Sequence, residues 1–212
     1  MKNSKLLWIT LILILTLMAE NRMTVRAQVQ DEQLPGSTTV AVSFSNLTTD
    51  DGLVHNEVTA ILQDQHGFIW IGTSEGLNRF DGYRFEVFKH EPGNPNSLSS
   101  NIINDLHEDQ NGVIWIATDG GGISRYDPSK NSFTTIPASL PNQRGLSSPN
   151  CDSIAEDGLG NIWIGTDDGL NKYDPATETI TQYVVKSAGQ AALDFGPIRA
   201  LALDDMGNIC LA

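Results

Sequence analysis

Three stretches of this chain say nearly the same thing: GFIWIGTSEGLNRFD ends at Asp81, GVIWIATDGGGISRYD at Asp127 and GNIWIGTDDGLNKYD at Asp174. Trp70, Trp115 and Trp163 stand 45 and 48 residues apart. A fourth copy begins at Pro197 and carries Cys210 where tryptophan is expected. Before each tryptophan position an apolar segment runs into Asp-x-x-Gly: Asp64 and Gly67, Asp109 and Gly112, Asp157 and Gly160, Asp204 and Gly207. A repeat of this period constrains the fold more than composition does, because each unit must bury its apolar surface against its neighbours.

Each unit parses into four short strands. In the first copy they are Val58 to Gln63, Phe68 to Thr73, Leu77 to Phe80 and Arg84 to Lys89, called a to d. The Asp-x-x-Gly link between a and b suits a tight hairpin, in which Asp accepts backbone N–H bonds and Gly takes the positive φ. Ser-Glu-Gly or Asp-Asp-Gly does the same between b and c, and the second copy adds a glycine there (Gly120, Gly121, Gly122). Asp81, Asp127 and Asp174 read as c–d turn formers. Strand b is apolar on both faces, with Phe68 and Trp70 on one and Ile69 and Ile71 on the other. A sheet wet on one side would alternate apolar and polar residues, so these sheets are covered on both faces. The expected fold is all-β: a β-propeller of four-stranded antiparallel blades. Three blades are complete and a fourth is partial, too few to close a ring. An open stack of sheets is the weaker alternative. The expected boundaries are 28–43 for a lead-in strand or linker, then blades over 44–96, 97–144, 145–193 and 194–212.

The repeat Asp-x-x-Gly-x-Ile-Trp-Ile-Gly-Thr-x-x-Gly-Leu-Asn-x-Tyr/Phe-Asp resembles the two-component regulator propeller repeat, over residues 44 to 212. Three departures stand out: Ala117 for Gly, Gly122-Ile123-Ser124 for Gly-Leu-Asn, and Cys210-Leu211-Ala212 for Trp-Ile-Gly. The resemblance implies the periplasmic, ligand-sensing region of a bacterial sensor kinase, often a hybrid one regulating polysaccharide use. It further implies an inner-membrane parent that is homodimeric, with downstream membrane and kinase modules. On this reading the chain is an N-terminal fragment, and its partners are an oligosaccharide or other small molecule and the rest of the propeller. Two alternatives stand beside it: a secreted propeller enzyme acting on carbohydrate, and a receptor with a diguanylate cyclase output.

The N-terminus reads separately. Lys2 and Lys5 precede the 13-residue apolar run Leu6 to Met18, and Val25-Arg26-Ala27 offers a cleavage site before Gln28, with Ala19 as a second. That is the pattern of an export signal over residues 1–27. Its removal takes away four basic residues and Glu20, moving the net charge from −13 to −16. No basic stripe exists to neutralise phosphates, so nucleic acid is not an expected partner. Export permits disulfides, but Cys151 and Cys210 occupy different repeat positions and are not expected to pair.

No catalytic motif, metal-ligand spacing or cofactor signature is present. His55, His66, His90 and His107 show no ligand spacing and read as solvated. Trp70, Trp115 and Trp163 read as blade core, and Asp64, Gly67, Asp109, Gly112, Asp157 and Gly160 as turn residues. In an up-and-down blade the b–c turns and the d–a connections emerge on one rim, and loops on a rigid scaffold are where binding residues gather. That rim collects Ser74, Glu75, Asp119, Asp167 and Asp168, the candidate ligand contacts, with the variable loops 91–100 and 137–145. Strand-a residues Thr59, Ile61, Asn104, Leu106, Ser153 and Ala155 are expected to line the channel. Being mostly small or apolar, they favour a sensor over an enzyme.

Overall fold

The computed structural model describes residues 24–34, 37–139, 145–183, 196–204 and 207–212, with side chains from residue 44 onward. Residues 1–23 of the export signal lie outside the described residues. An antiparallel hairpin of β1 (Thr24–Leu34) and β2 (Ser37–Leu47) comes first, followed by a single 3-10 turn, Thr49–Asp51. Three meandering sheets follow. The first is β3 (Val58–Gln63), β4 (Ile69–Thr73), β5 (Gly76–Phe80) and β6 (Phe85–Phe88). The second is β7 (Ile103–Glu108), β8 (Ile114–Thr118), β9 (Gly122–Asp127) and β10 (Ser132–Ile136). The third is β11 (Cys151–Glu156), β12 (Ile162–Thr166), β13 (Gly169–Asp174) and β14 (Thr179–Tyr183). A two-stranded sheet of β15 (Leu201–Leu203) and β16 (Ile209–Leu211) begins the fourth unit. The sheets pack face to face as propeller blades, and the described residues do not close a ring.

The a–b turns repeat with one geometry. In the first, the Asp64 N–H donates to Phe68 O (2.9 Å), the Gly67 N–H donates to Asp64 O (2.9 Å), and Gly67 takes φ 87°. Gly112, Gly160 and Gly207 take φ 79°, 82° and 80° in the same place. Asp64 Oδ1 accepts from the N–H groups of His66 and Phe68, while Oδ2 accepts from the Trp70 indole at 2.8 Å. Asp109 and Asp157 hold Trp115 and Trp163 likewise, at 2.8 and 2.9 Å. One carboxylate thus closes the hairpin and anchors the tryptophan six residues on. With Cys210 at that position in the fourth unit, Asp204 Oδ2 accepts from Asn208 Nδ2 instead, at 2.7 Å. The c–d turns use Asp81, Asp127 and Asp174, each accepting from the N–H two residues later.

Each tryptophan faces the next blade. Trp70, Leu77 and Phe88 pack on Ile114, Ile116, Tyr126 and Phe133, while Trp115, Ala117 and Ile123 pack on Ile162, Ile164 and Tyr173. Both seams carry a cation bridge at their outer side. Arg79 lies over Trp70 and donates to the Tyr126 hydroxyl (3.3 Å), and Arg125 lies over Trp115 and donates to the Tyr173 hydroxyl (3.1 Å). The departure at Ala117 is matched across its seam. A Cβ built on Gly72 would sit 2.6 Å from Ile103, and one on Gly165 would sit 2.8 Å from Ile198. Ala117 occupies the same position, and its seam partner is the smaller Cys151. Side-chain volume taken on one sheet is given up on the other.

Strand a carries a bulge in every complete blade, an extra residue at Thr59, Asn104 and Asp152. This corrects the expected channel lining. Leu106 and Ser153 are buried, Leu106 within the cluster around Trp70. Asp152, not Ser153, is the equivalent of Thr59 and Asn104, because the bulge shifts the register by one. The histidines also differ from expectation. His55, His90 and His107 all have hydrogen-bond partners, and only His66 stands open at a turn.

Candidate functional site

The first rim is built on three buried threonines that end strand b. Thr73, Thr118 and Thr166 each donate to the carbonyl of the glycine that opens strand c, at 2.8, 2.8 and 2.9 Å. Those bonds fix the turns that carry the five rim candidates. Ser74 Oγ lies 2.9 Å from His55 Nδ1, which also accepts from the Glu57 N–H at 3.1 Å. With that N–H on Nδ1, the ring carries its proton on Nε2 and Ser74 is the donor. Glu75 beside it points into solvent. Ser74 and Glu75 therefore belong to a site of their own in the first blade.

Asp119 and Asp167 lie together at the inner end of the next two turns. Asn150 joins those turns: its Oδ1 accepts from the Gly120 N–H (2.9 Å) and its Nδ2 donates to Asp167 Oδ2 (2.7 Å). Asp152, on the bulge, shares this space. Burial raises its carboxyl above the usual range, the charges of Asp167 and Asp119 raise it further, and Arg199 works the other way. Arg199 comes from the fourth unit and lies 4.0 Å from Asp152. Asp152 Oδ2 is buried without a hydrogen bond. Cys151 beside it is sealed by burial, with its thiol pushed up to about 12. Asp168 stands apart and exposed, its N–H bonded to Thr166 Oγ1 at 3.3 Å. Among the described residues no group of three or more His, Cys, Asp or Glu is placed to hold a metal ion.

A groove of about 620 Å³ opens on the same rim, between the loop from β6 to β7 and the Gly120-Gly121 turn. His90, Glu91, Asn94, Ser99 and Thr135 line it. The loop is held by its own bonds: the Glu91 N–H donates to Ser97 Oγ (2.9 Å) and Asn94 Nδ2 donates to Glu91 Oε2 (2.7 Å). His90 Nδ1 donates to Leu98 O at 2.7 Å, which leaves Nε2 for a ligand. The side-chainless turn of the second blade leaves this space open, where Glu75 and Asp168 stand in its neighbours. Asn150, Asp152 and Arg199 were not among the sequence candidates. Aligning the copies on the bulge would have brought out Asp152 and Arg199, since both share the position of Asn104.

This fold and rim define a blade-repeat protein of the β-propeller class. The chain carries the two component regulator propeller repeat, which matches residues 52–75, 97–120 and 145–168. It is similar to the histidine kinase P4 of Formosa agariphila, 41% identical over 56 residues that make up 26% of this chain and 4% of that protein. Its structure is similar to the extracellular domain of BT3049 of B. thetaiotaomicron, described as a hybrid two component system. The TM-score is 0.70 at 27% identity, over 79% of this chain and 23% of that one. The extracellular domain of BT4673 from the same organism, described both as a one component and as a hybrid two component system, gives a TM-score of 0.64 at 26% identity. That match spans 80% of this chain and 22% of the other. The chain therefore spans less than a quarter of the length of the solved domains it matches.

Proposed function

We propose that this chain is the extracytoplasmic input segment of a two-component sensor and that its first rim receives the ligand. The observation that carries this reading is the contrast between frame and rim. Strand-b tryptophans, turn aspartates and seam arginines are all committed to packing. Polar groups with unused bonding capacity collect on one rim, in the His90–Thr135 groove and around Asp119, Asp152 and Asp167. The likeness to extracellular domains of signalling systems at 26 and 27% identity supports the same reading. The ligand is a small molecule rich in hydroxyls, an oligosaccharide among the candidates. No lysine or arginine lines the groove, and the formal net charge is −13, so an anion would be repelled. The parent is a dimeric inner-membrane kinase, and residues 1–27 direct its export. Signalling requires the ligand to prefer one of two receptor states.

The gene itself provides the test. A membrane-spanning segment and a kinase module encoded after codon 212, with the propeller accessible to protease from the periplasm, agree with the proposal. A stop codon after further blades, together with new reducing ends when the protein is incubated with polysaccharide, would replace it with a secreted enzyme.

A further inference from the structure

The two complete seams differ in chemistry along their innermost strands. At the first, β3 offers Ala60 and Leu62 to the packed cluster. Its polar link is the Gln65 N–H donating to Glu108 Oε2 at 2.9 Å. The second seam keeps that link, with the Gln110 N–H donating to Glu156 Oε2 at 3.2 Å, and adds three more. Asn104 Nδ2 donates to Cys151 O at 2.9 Å, the Ile154 N–H donates to Asp105 Oδ2 at 2.8 Å, and His107 Nε2 lies 3.3 Å from Glu156 Oε2. Asp105 and His107 take the repeat positions of Ala60 and Leu62. One seam is apolar where the other is ionisable.

We propose that the seam between the second and third blades is a proton-responsive joint, tightening as the medium passes from neutral to mildly acid while the first seam stays indifferent. Asp105 and His107 on β7 and Glu156 on β11 are the titratable groups facing one another across it. Glu108 on β7 faces Gln65 of the first blade instead, and Asp152 on β11 faces Arg199 of the fourth unit. Protonated His107 forms an ion pair with Glu156, which neutral imidazole does not. Burial raises the Asp105 carboxyl above its usual range, against the opposing effects of the Ile154 and Leu106 N–H bonds and the His107 charge. A carboxyl whose folded-state affinity for protons exceeds that of the unfolded chain favours folding more as pH falls. Both effects act in the same direction. Asn150 ties the rim turns of these same two blades through Gly120 and Asp167, so movement at the joint reaches the rim.

The test is amide hydrogen exchange on the full chain between about pH 7.5 and 5.5, corrected for intrinsic rates. The expected result is a several-fold gain in protection at Ile154 and Gln110 on acidification, with Gln65 unchanged. His107→Leu, which installs the first blade's residue, should flatten the Gln110 profile, and Asp105→Asn the Ile154 profile. Parallel gains at Gln65, or an unchanged profile in both variants, overturn the proposal. If a variant fails to fold, NMR titration of the His107 ring and the Asp105 carboxyl in the native chain decides. Titration of those groups with no change at the Ile154 and Gln110 amides also overturns it. Loss of ligand response leaves this proposal standing, because it concerns the seam alone.

Discussion

Removing the Asp109 carboxylate should unfasten the second blade from within. Its Oδ1 accepts from the Asn111 and Val113 N–H groups at 2.9 and 3.0 Å, and its Oδ2 accepts from the Trp115 indole at 2.8 Å. In Asp109→Ala the two turn amides can turn to water, but Trp115 is fully buried and its N–H cannot. Leaving a buried donor unsatisfied costs about 1–3 kcal/mol, and hydrogen bonds to a charged acceptor are worth about 1.5–3 kcal/mol each. With the turn bonds partly replaced by solvent, the expected loss is about 3–5 kcal/mol. Trp115→Phe removes the donor and keeps an aromatic ring. In that background Asp109→Ala should cost about 1–3 kcal/mol less, which is the coupling of carboxylate to indole. Urea denaturation of the four chains of the cycle, followed by circular dichroism, gives the numbers. A single-substitution loss below about 1 kcal/mol, or a coupling within about 0.5 kcal/mol of zero, would refute the argument that this aspartate anchors the tryptophan.

Three further outcomes follow from the same structure. Cys151→Ile should destabilise the chain by about 1–3 kcal/mol through overpacking against Ala117, and adding Ala117→Gly should recover most of the loss in the same denaturation assay. A thiol reagent should label exposed Cys210 within minutes and leave buried Cys151 untouched until denaturant is added, as mass spectrometry would read. Hydrogen bonds from Lys130 and Ser129 hold the Asp127 carboxyl down at about 2. Its contribution is therefore present above the ordinary carboxylate range and lost as pH falls toward about 2. NMR titration should place its midpoint below those of unpartnered aspartates, and Lys130→Met should move it up.

How much of this could be read from the residues depended on whether a feature is local. Asp-x-x-Gly names its own turn, and the observed first-blade strands fall within a residue of those expected. Continuous apolarity in strand b showed that both faces are covered. The constant six-residue step from Asp to Trp was visible, but its meaning was not. Only the folded turn brings the carboxylate back over the indole. The bulge was illegible for a different reason. An extra residue in a strand looks like any other, and without it Ser153 appeared where Asp152 belongs. Ser74, Glu75, Asp119, Asp167 and Asp168 were expected on one rim. The structure divides them among the His55 contact, the Asn150 junction and solvent. Those groupings depend on loops whose paths no periodicity fixes. The histidines were misjudged because their partners come from distant segments: Leu98 O for His90, and Glu156 for His107, from the next blade.

The pairing of Gly72 with Ile103, Ala117 with Cys151 and Gly165 with Ile198 bears on how such a chain avoids assembling wrongly. Blades this alike could dock out of order, with the first sheet on the third or on a neighbouring molecule. The sheet that carries Ala117 would clash with a blade presenting isoleucine, and one carrying glycine would leave a void against Cys151. Each sheet thus accepts its own successor and rejects the others. A chain of near-identical parts keeps its order through one pair of mismatched sizes.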